Sequence, residues 1–209
     1  VGNAEEHQKY AEAISDINIV TGVVGLKEQR NFISDYYPEG TLIVSVDDDL
    51  SALTTLRDGK LVPLPSLLEL INSGFKECVL HNYHLWGITP VSNAFYMKHI
   101  IHTNLKFCIG HLFGYINRRI KLTCKYKHDY EFSLENSVRD GGVIRFSYVG
   151  AKTKMGEPGG INKTPAQRLS DYTNCIQILQ DKYPGLVRLN KKRPGEILLS
   201  RRIKNLKIE

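Results

Sequence analysis

The stretch Gly40-Thr41-Leu42-Ile43-Val44-Ser45-Val46-Asp47-Asp48-Asp49-Leu50 sets an apolar, β-branched run against three consecutive carboxylates. The run from Thr41 to Val46 has the character of a buried strand. It places Asp47, Asp48 and Asp49 where that strand leaves its sheet, the edge at which open α/β folds hold ligands. Close carboxylates repel and raise each other's pKa unless a cation shares them. Hard oxygen ligands of this kind suit Mg²⁺ or Mn²⁺ carrying a diphosphate, so the expected partner is a metal–nucleotide. Asp also caps helices and makes turns, and the triplet alone fits that role as well.

The chain of 209 residues fits a single domain over 1–209, with enough length to bury a core. Hydrophobic content of 42% and charged content of 24% are ordinary for a soluble globular protein. Cys78, Cys108, Cys124 and Cys175 form no Cys-x-x-Cys pair, which speaks against a zinc knuckle and a disulfide framework and points to a reducing, cytoplasmic compartment. No apolar run reaches the ~20 residues of a membrane helix, and no charged-then-apolar leader opens the chain. The chain begins at Val1 rather than at Met, which leads us to expect further residues upstream.

Charge is uneven. Nine basic residues from Lys182 to Glu209 face only Glu196 and Glu209, a net +7 against +6 for the whole chain, which leaves the remainder at −1. Such a segment, with Lys191, Lys192, Arg193, Arg201 and Arg202, suits a polyanion surface such as DNA; a solvated basic tail reads equally well.

Working outward from the Asp triplet, the pattern predicts alternating strands and helices, the signature of a layered α/β sheet. Val1–Asn3 reads as a strand end, Ala4–Ser15 as a helix, Ile17–Val24 as a strand and Leu26–Tyr36 as a helix with Phe32 and Ile33 inward. Asp58-Gly59-Lys60 is a turn and Pro65–Ser73 a helix opened by proline. Glu77–Asn82 and Gly87–Met97 read as strands, Phe132–Arg139 as a helix, and Gly142–Gly150 as a strand. Lys152–Lys163 reads as a Gly/Pro/Lys loop, Thr164–Lys182 as a long helix, and Leu186–Leu189 and Ile197–Leu199 as short strands.

Four constellations carry candidate chemistry. Arg30 lies in the helix before the Asp strand, within reach of a nucleotide, or else is a surface helix arginine. Asp129-Tyr130-Glu131 follows a polar stretch and precedes a helix; one carboxylate can serve as general base, Glu131 by its longer reach, or both can complement the helix dipole. Lys152 and Lys154, among mobile glycines, suit a lid on a diphosphate, and a plain surface loop has the same composition. His81-Asn82-Tyr83-His84-Leu85-Trp86 concentrates polar and aromatic groups, so Trp86 and His84 read as the floor of an acceptor or sugar pocket. The pairs His81/His84 and His99/His102 lack a zinc pattern.

The segment Gly25-Leu26-Lys27-Glu28-Gln29-Arg30-Asn31, followed one helix later by Asp47-Asp48-Asp49, resembles the nucleotide-sugar half of GT-A glycosyltransferases. Among these it resembles the viral and phage enzymes related to the base J glucosyltransferase, the TET-associated glycosyltransferases, over most of the chain from Val1 to about Ile203. The resemblance implies a GT-A fold with a mixed, mostly parallel central sheet flanked by helices. It also implies transfer of a sugar, of hexosyltransferase type, from a nucleoside diphosphate sugar such as a UDP-sugar. Arg30, Asn31, Asp47, Asp48, Lys152 and Lys154 would hold the donor, Asp47 and Asp49 a Mn²⁺ or Mg²⁺ ion, and Glu131 or Asp129 would act as base. Trp86, His84, Lys191, Lys192 and Arg193 would face the acceptor, for which the resemblance suggests hydroxymethylated pyrimidine in DNA. Two features depart from that pattern: many GT-A enzymes add a late His to the metal shell, whereas no His follows His128, and the first strand that frames the nucleobase pocket is missing before Val1. The competing expectations are a glycan-building glycosyltransferase and a nucleic-acid-binding module with a degenerate sugar site.

Overall fold

The computed structural model describes residues 1–153, 165–193 and 195–200. Lys154 and the rest of the expected loop through Lys163, together with Arg201 and Arg202, lie outside the described residues. The fold is mixed α/β. Its elements are α1 (Ala4–Ala13), α2 (Leu26–Tyr36), β1 (Leu42–Val46), β2 (Leu50–Arg57), β3 (Lys60–Pro63), α3 (Leu67–His81), β4 (Leu85–Thr89), β5 (Ile101–His102), β6 (Leu112–Ile116), α4 (His128–Asp140), β7 (Ile144–Thr153), α5 (Pro165–Lys182), β8 (Val187–Leu189) and β9 (Ile197–Leu199).

The main sheet runs β1-β6-β4-β7-β2-β3, with β5 also on β7. It is mixed, but among the described residues only β4 and β7 pair in parallel, which corrects the expectation of a mostly parallel sheet. The cause is topological. The antiparallel β6 inserts between the co-directional β1 and β4, and the β2–β3 hairpin turns through Asp58 (φ 49°) and Gly59 (φ 73°), left-handed conformations of the kind that tight hairpins favour.

Strand β1 is an edge strand, paired among the described residues with β6 alone, and its ends Leu42 and Val46 are 56% and 49% exposed. The apolar run therefore forms the expected strand without the expected burial. The segment read as a strand over Ile17–Val24 is irregular because its backbone groups are engaged elsewhere. Val20 O accepts from the Val1 amino group (3.1 Å), Gly22 N–H donates to Val1 O (2.8 Å), and Val23 N–H donates to Gln29 Oε1 (2.8 Å). Asn3, expected at a strand end, caps α1 by accepting from Glu6 N–H at 2.9 Å.

Helix α3 is capped by Ser66, directly after Pro65, and runs to His81 with Asn82 as its C-cap, across the stretch 77–82 that reads as a strand. Leu70, Phe75 and Cys78 are buried at helical spacing, and Gly74 lets the helix close on the sheet. A Cβ at Gly74 would stand 2.4 Å from Trp86 Cδ2, and one at Gly114 would stand 2.3 Å from Trp86 Nε1. Trp86 is thus sandwiched between two glycines with Phe75 and Phe146 edge-on, fully buried in the layer under α3. It cannot stack on an acceptor. Strand β4 starts two residues earlier than expected and stops at Thr89, because Pro90 has no N–H to continue the ladder.

Alternation along the strands divides the core. Trp86, Leu112 and Ile144 face α3, whereas Leu85, Phe113 and Val143 face the opposite layer, where Phe132 of α4 packs. A third cluster joins α4, α5 and the small β8–β9 sheet through Leu134, Cys175, Leu179, Tyr183 and Ile197. No helix of the described residues is long and apolar enough to cross a membrane.

Candidate metal centre

The register of β1 on β6 builds the site. Val46 pairs with Leu112, so Asp47 comes opposite His111 just beyond the ladder, and Asp47 N–H donates to His111 O at 3.0 Å. Their side chains also meet, with His111 Nδ1 3.1 Å from Asp47 Oδ2. The chain then turns through Asp48 and Asp49 into β2, with Leu50 N–H reaching back to Asp47 O at 3.4 Å. One ligand atom each from Asp47, Asp49 and His111 lies within 4.8 Å of the others. Ligands around an octahedral ion at about 2.1 Å stand about 3–4 Å apart, so small side-chain movements would close the three on one cation. The hydrogen bond to Asp47 holds the His111 imidazole above its usual pKa range, with burial opposing it. Asp48 is exposed and not in this group.

Arg30 enters from α2. Its guanidinium donates to Ser45 Oγ, lies 3.9 Å from Asp47 Oδ1 and sits 5.1 Å from the centre of the Phe113 ring. Ser45 and Asp47 are two residues apart and so project to the same side of the strand. Burial lowers the Arg30 pKa while Asp47, Tyr115 and Asp129 oppose the shift; an arginine starting so high stays charged. Asn31, the expected neighbouring donor contact, is occupied otherwise: its amide donates to Leu122 O (3.0 Å) and accepts from Leu122 N–H (2.8 Å), which fastens α2 to the 117–125 segment.

Asp129, on the first turn of α4, lies across Gly110 from Asp47. A Cβ built on Gly110 would be 3.8 Å from Asp129 Oδ2 and 4.0 Å from Asp47 Oδ2. Burial pushes the Asp129 carboxyl above the usual range, against the pull of His128, the Tyr130 N–H and Lys127. Asp129 Oδ1 accepts from Tyr130 N–H at 2.9 Å, so part of the expected helix-end role is present too. His128 and Asp129 line two hollows. One is a narrow apolar pocket of about 20 Å³ shared with Arg30 and Phe113, roomy enough for about one water. The other is an open cleft of about 320 Å³ walled by Phe107, Ile109, Tyr126, Tyr130 and Tyr172. There Phe107 stacks on Tyr130 at 4.0 Å, and Lys127 Nζ lies 4.5 Å from the Tyr172 ring centre and 3.0 Å from Glu196 Oε1.

Glu131 is not at this site. Its carboxylate is fully buried and accepts from Thr123 N–H (2.9 Å), Thr123 Oγ1 (2.6 Å), Cys124 N–H (2.8 Å) and Lys182 Nζ (3.1 Å). Four donors leave it no room for a substrate proton, which corrects the expectation that its longer side chain reaches a cleft. His84 is misplaced as well. It precedes β4, at the sheet end opposite Asp47, where its backbone N–H (2.8 Å) and Nδ1 (3.3 Å) meet Asp140, itself paired with Arg118. Lys152 lies on β7 opposite Ala52, and the pairing of Thr153 with Leu50 brings this strand end beside the carboxylate turn. Lys191, Lys192 and Arg193 are exposed at the β8–β9 turn, and Glu196 of the same turn borders the aromatic cleft.

His111 carries no sequence motif; only the pairing of 112–116 against 42–46 could have drawn attention to it. Comparisons with protein-family models, curated proteins and solved structures give no match.

Proposed function

We propose that the chain is a metal-dependent glycosyltransferase of GT-A type that uses a nucleoside diphosphate sugar, with UDP as the nucleotide. The observation that carries this reading is the convergence of Asp47, Asp49 and His111 beside Arg30, with Asp129 facing the same gap over Gly110. Two carboxylates and one imidazole suit Mn²⁺ better than Mg²⁺, which prefers all-oxygen shells. When bound, the ion would offset the charge of the departing diphosphate.

The chain's own groups account for the rest. Arg30 adds a fixed cation beside the ion ligands, in a partly enclosed setting that strengthens it. For an inverting transfer, the bond from the anomeric carbon to the diphosphate oxygen breaks with its electron pair leaving on the diphosphate. The acceptor oxygen bonds to that carbon and gives its proton to Asp129, whose burial-raised pKa makes it a better base. Glu131 instead fixes the start of α4. Released UDP, measured with Mn²⁺ against a panel of UDP-sugars and with hydroxymethylated DNA or a glycan as acceptor, tests the reading. Turnover that needs both Mn²⁺ and one UDP-sugar supports it, and no turnover with any pair opposes it.

The acceptor we infer is DNA, because the exposed Lys191-Lys192-Arg193 turn adjoins the cleft through Glu196. Lys182 of the basic segment is engaged by Glu131 and Glu135, and Glu196 by Lys127, whereas Lys191, Lys192 and Arg193 are three adjacent exposed cations open to phosphates. Charge reversal at Lys191, Lys192 and Arg193 should weaken DNA binding at low salt and reduce the slope of log affinity against log salt by roughly 2–3, while sparing hydrolysis of the UDP-sugar. Filter binding across a salt series reads this. An unchanged slope, with activity on an oligosaccharide, favours the glycan acceptor instead.

A further inference from the structure

Gly110 is a glycine that local structure does not demand. Its φ lies outside the left-handed region, and an added Cβ would meet nothing closer than 3.8 Å, an ordinary contact. The contrast with other glycines in or beside the sheet is plain. A Cβ at Gly74, Gly87, Gly114 or Gly142 would come within 2.7 Å of a neighbouring atom, so those four are glycines for packing. At Gly110 the three nearest atoms are instead Asp129 Oδ2, Asp129 Cβ and Asp47 Oδ2, at 3.8, 3.9 and 4.0 Å. The missing side chain holds open a gap between two carboxylates that come from different elements. Its neighbours in sequence face the two halves of the site, His111 in the metal group and Ile109 in the wall of the aromatic cleft.

We infer that Gly110 is a positioning residue whose bare Cα forms the platform under the sugar ring of the bound donor. The inference rests on the nucleotide-sugar reading. With the diphosphate held at Asp47 and Arg30 and the base at Asp129, the carbon that changes partners has to lie between them. The space between them is the space over Gly110. A pyranose ring can approach a bare backbone to about 4 Å, whereas a methyl group there fills the same space and lifts the ring off its line between the two carboxylates. Displacement by about 1 Å is enough to cost roughly 10²-fold in rate.

The test compares wild type with Gly110→Ala and Gly110→Val. Thermal unfolding and calorimetry with Mn²⁺ and UDP report the fold and the metal–nucleotide half. Hydrolysis of UDP-glucose, UDP-galactose and UDP-N-acetylglucosamine reports the sugar. We expect both variants to bind UDP with Mn²⁺ within about twofold of wild type, since the ion ligands and Arg30 are untouched. Hydrolysis of the preferred UDP-sugar should fall roughly 10²-fold in Gly110→Ala and further in Gly110→Val, mainly in kcat. Val tests the grading, and Ala, the smallest change, keeps the answer readable if Val folds poorly. Wild-type hydrolysis in Gly110→Ala overturns the inference, as does a loss of UDP affinity that matches the loss of hydrolysis. A wild type that binds UDP with Mn²⁺ but hydrolyses none of the three sugars overturns it too. A wild type that binds no UDP at all removes the underlying reading and this inference with it.

Discussion

Glu131→Ala should destabilise the protein by about 3–5 kcal/mol, the range for deleting one partner of a buried ionic network. The wild-type carboxylate satisfies the backbone N–H groups of Thr123 and Cys124, the Thr123 hydroxyl and Lys182. Lys182 is one-third exposed and keeps Glu135 at 3.3 Å, so it regains water and a partner. The buried Cys124 amide does not, and a buried orphan donor costs about 1–3 kcal/mol. Against a typical total of about 5–15 kcal/mol this is a large fraction. Urea unfolding reads it directly. A variant of wild-type stability that has lost turnover would return Glu131 to the acceptor side.

Asp129→Asn is expected to do the reverse. The amide oxygen can still accept from Tyr130 N–H, so the end of α4 is kept and stability should change little. The base is gone, and turnover should fall roughly 10²–10⁴-fold with UDP affinity in Mn²⁺ close to wild type. Single-turnover assays on the best acceptor separate the two quantities. Transfer at the wild-type rate would leave Asp129 as a helix-end residue only.

The contrast between neighbouring carboxylates shows what the sequence could and could not convey. That Asp47, Asp49 and Arg30 come together is legible in the sequence because their placement is local: a strand ends in carboxylates, and the preceding helix carries an arginine at its centre. His111 is not, since its partnership with Asp47 spans 64 residues and arises from strand register. Side-chain length says nothing about direction, so the sequence does not show that α4 aims Glu131 at the amides of 123 and 124. Asn31 likewise bonds the backbone of Leu122, and His84 meets Asp140 through its backbone N–H and Nδ1, contacts that span the chain and leave no local signal.

The same limits apply to the fold. The helix after Gly25, the turn at Asp58-Gly59 and the closing strands follow from local chemistry. Stretch 77–82 reads as a strand because Cys78-Val79-Leu80 is an apolar run, yet Val79 and Leu80 are 73% and 70% exposed on the outer face of α3. Trp86 reads as a stacking surface in the sequence, whereas Gly74 and Gly114, distant in sequence, close on both sides of it.

Calorimetric titration of UDP with and without Mn²⁺ into wild type, Asp49→Ala and His111→Ala tests the central claim most directly. Mn²⁺ should raise wild-type affinity for UDP at least about tenfold, and loss of either ligand should remove most of that gain, because the ion would keep only two protein ligands. Equal UDP affinity with and without Mn²⁺ in wild type, or a Mn²⁺ effect of full size in both variants, would contradict a metal–nucleotide site at Asp47, Asp49 and His111.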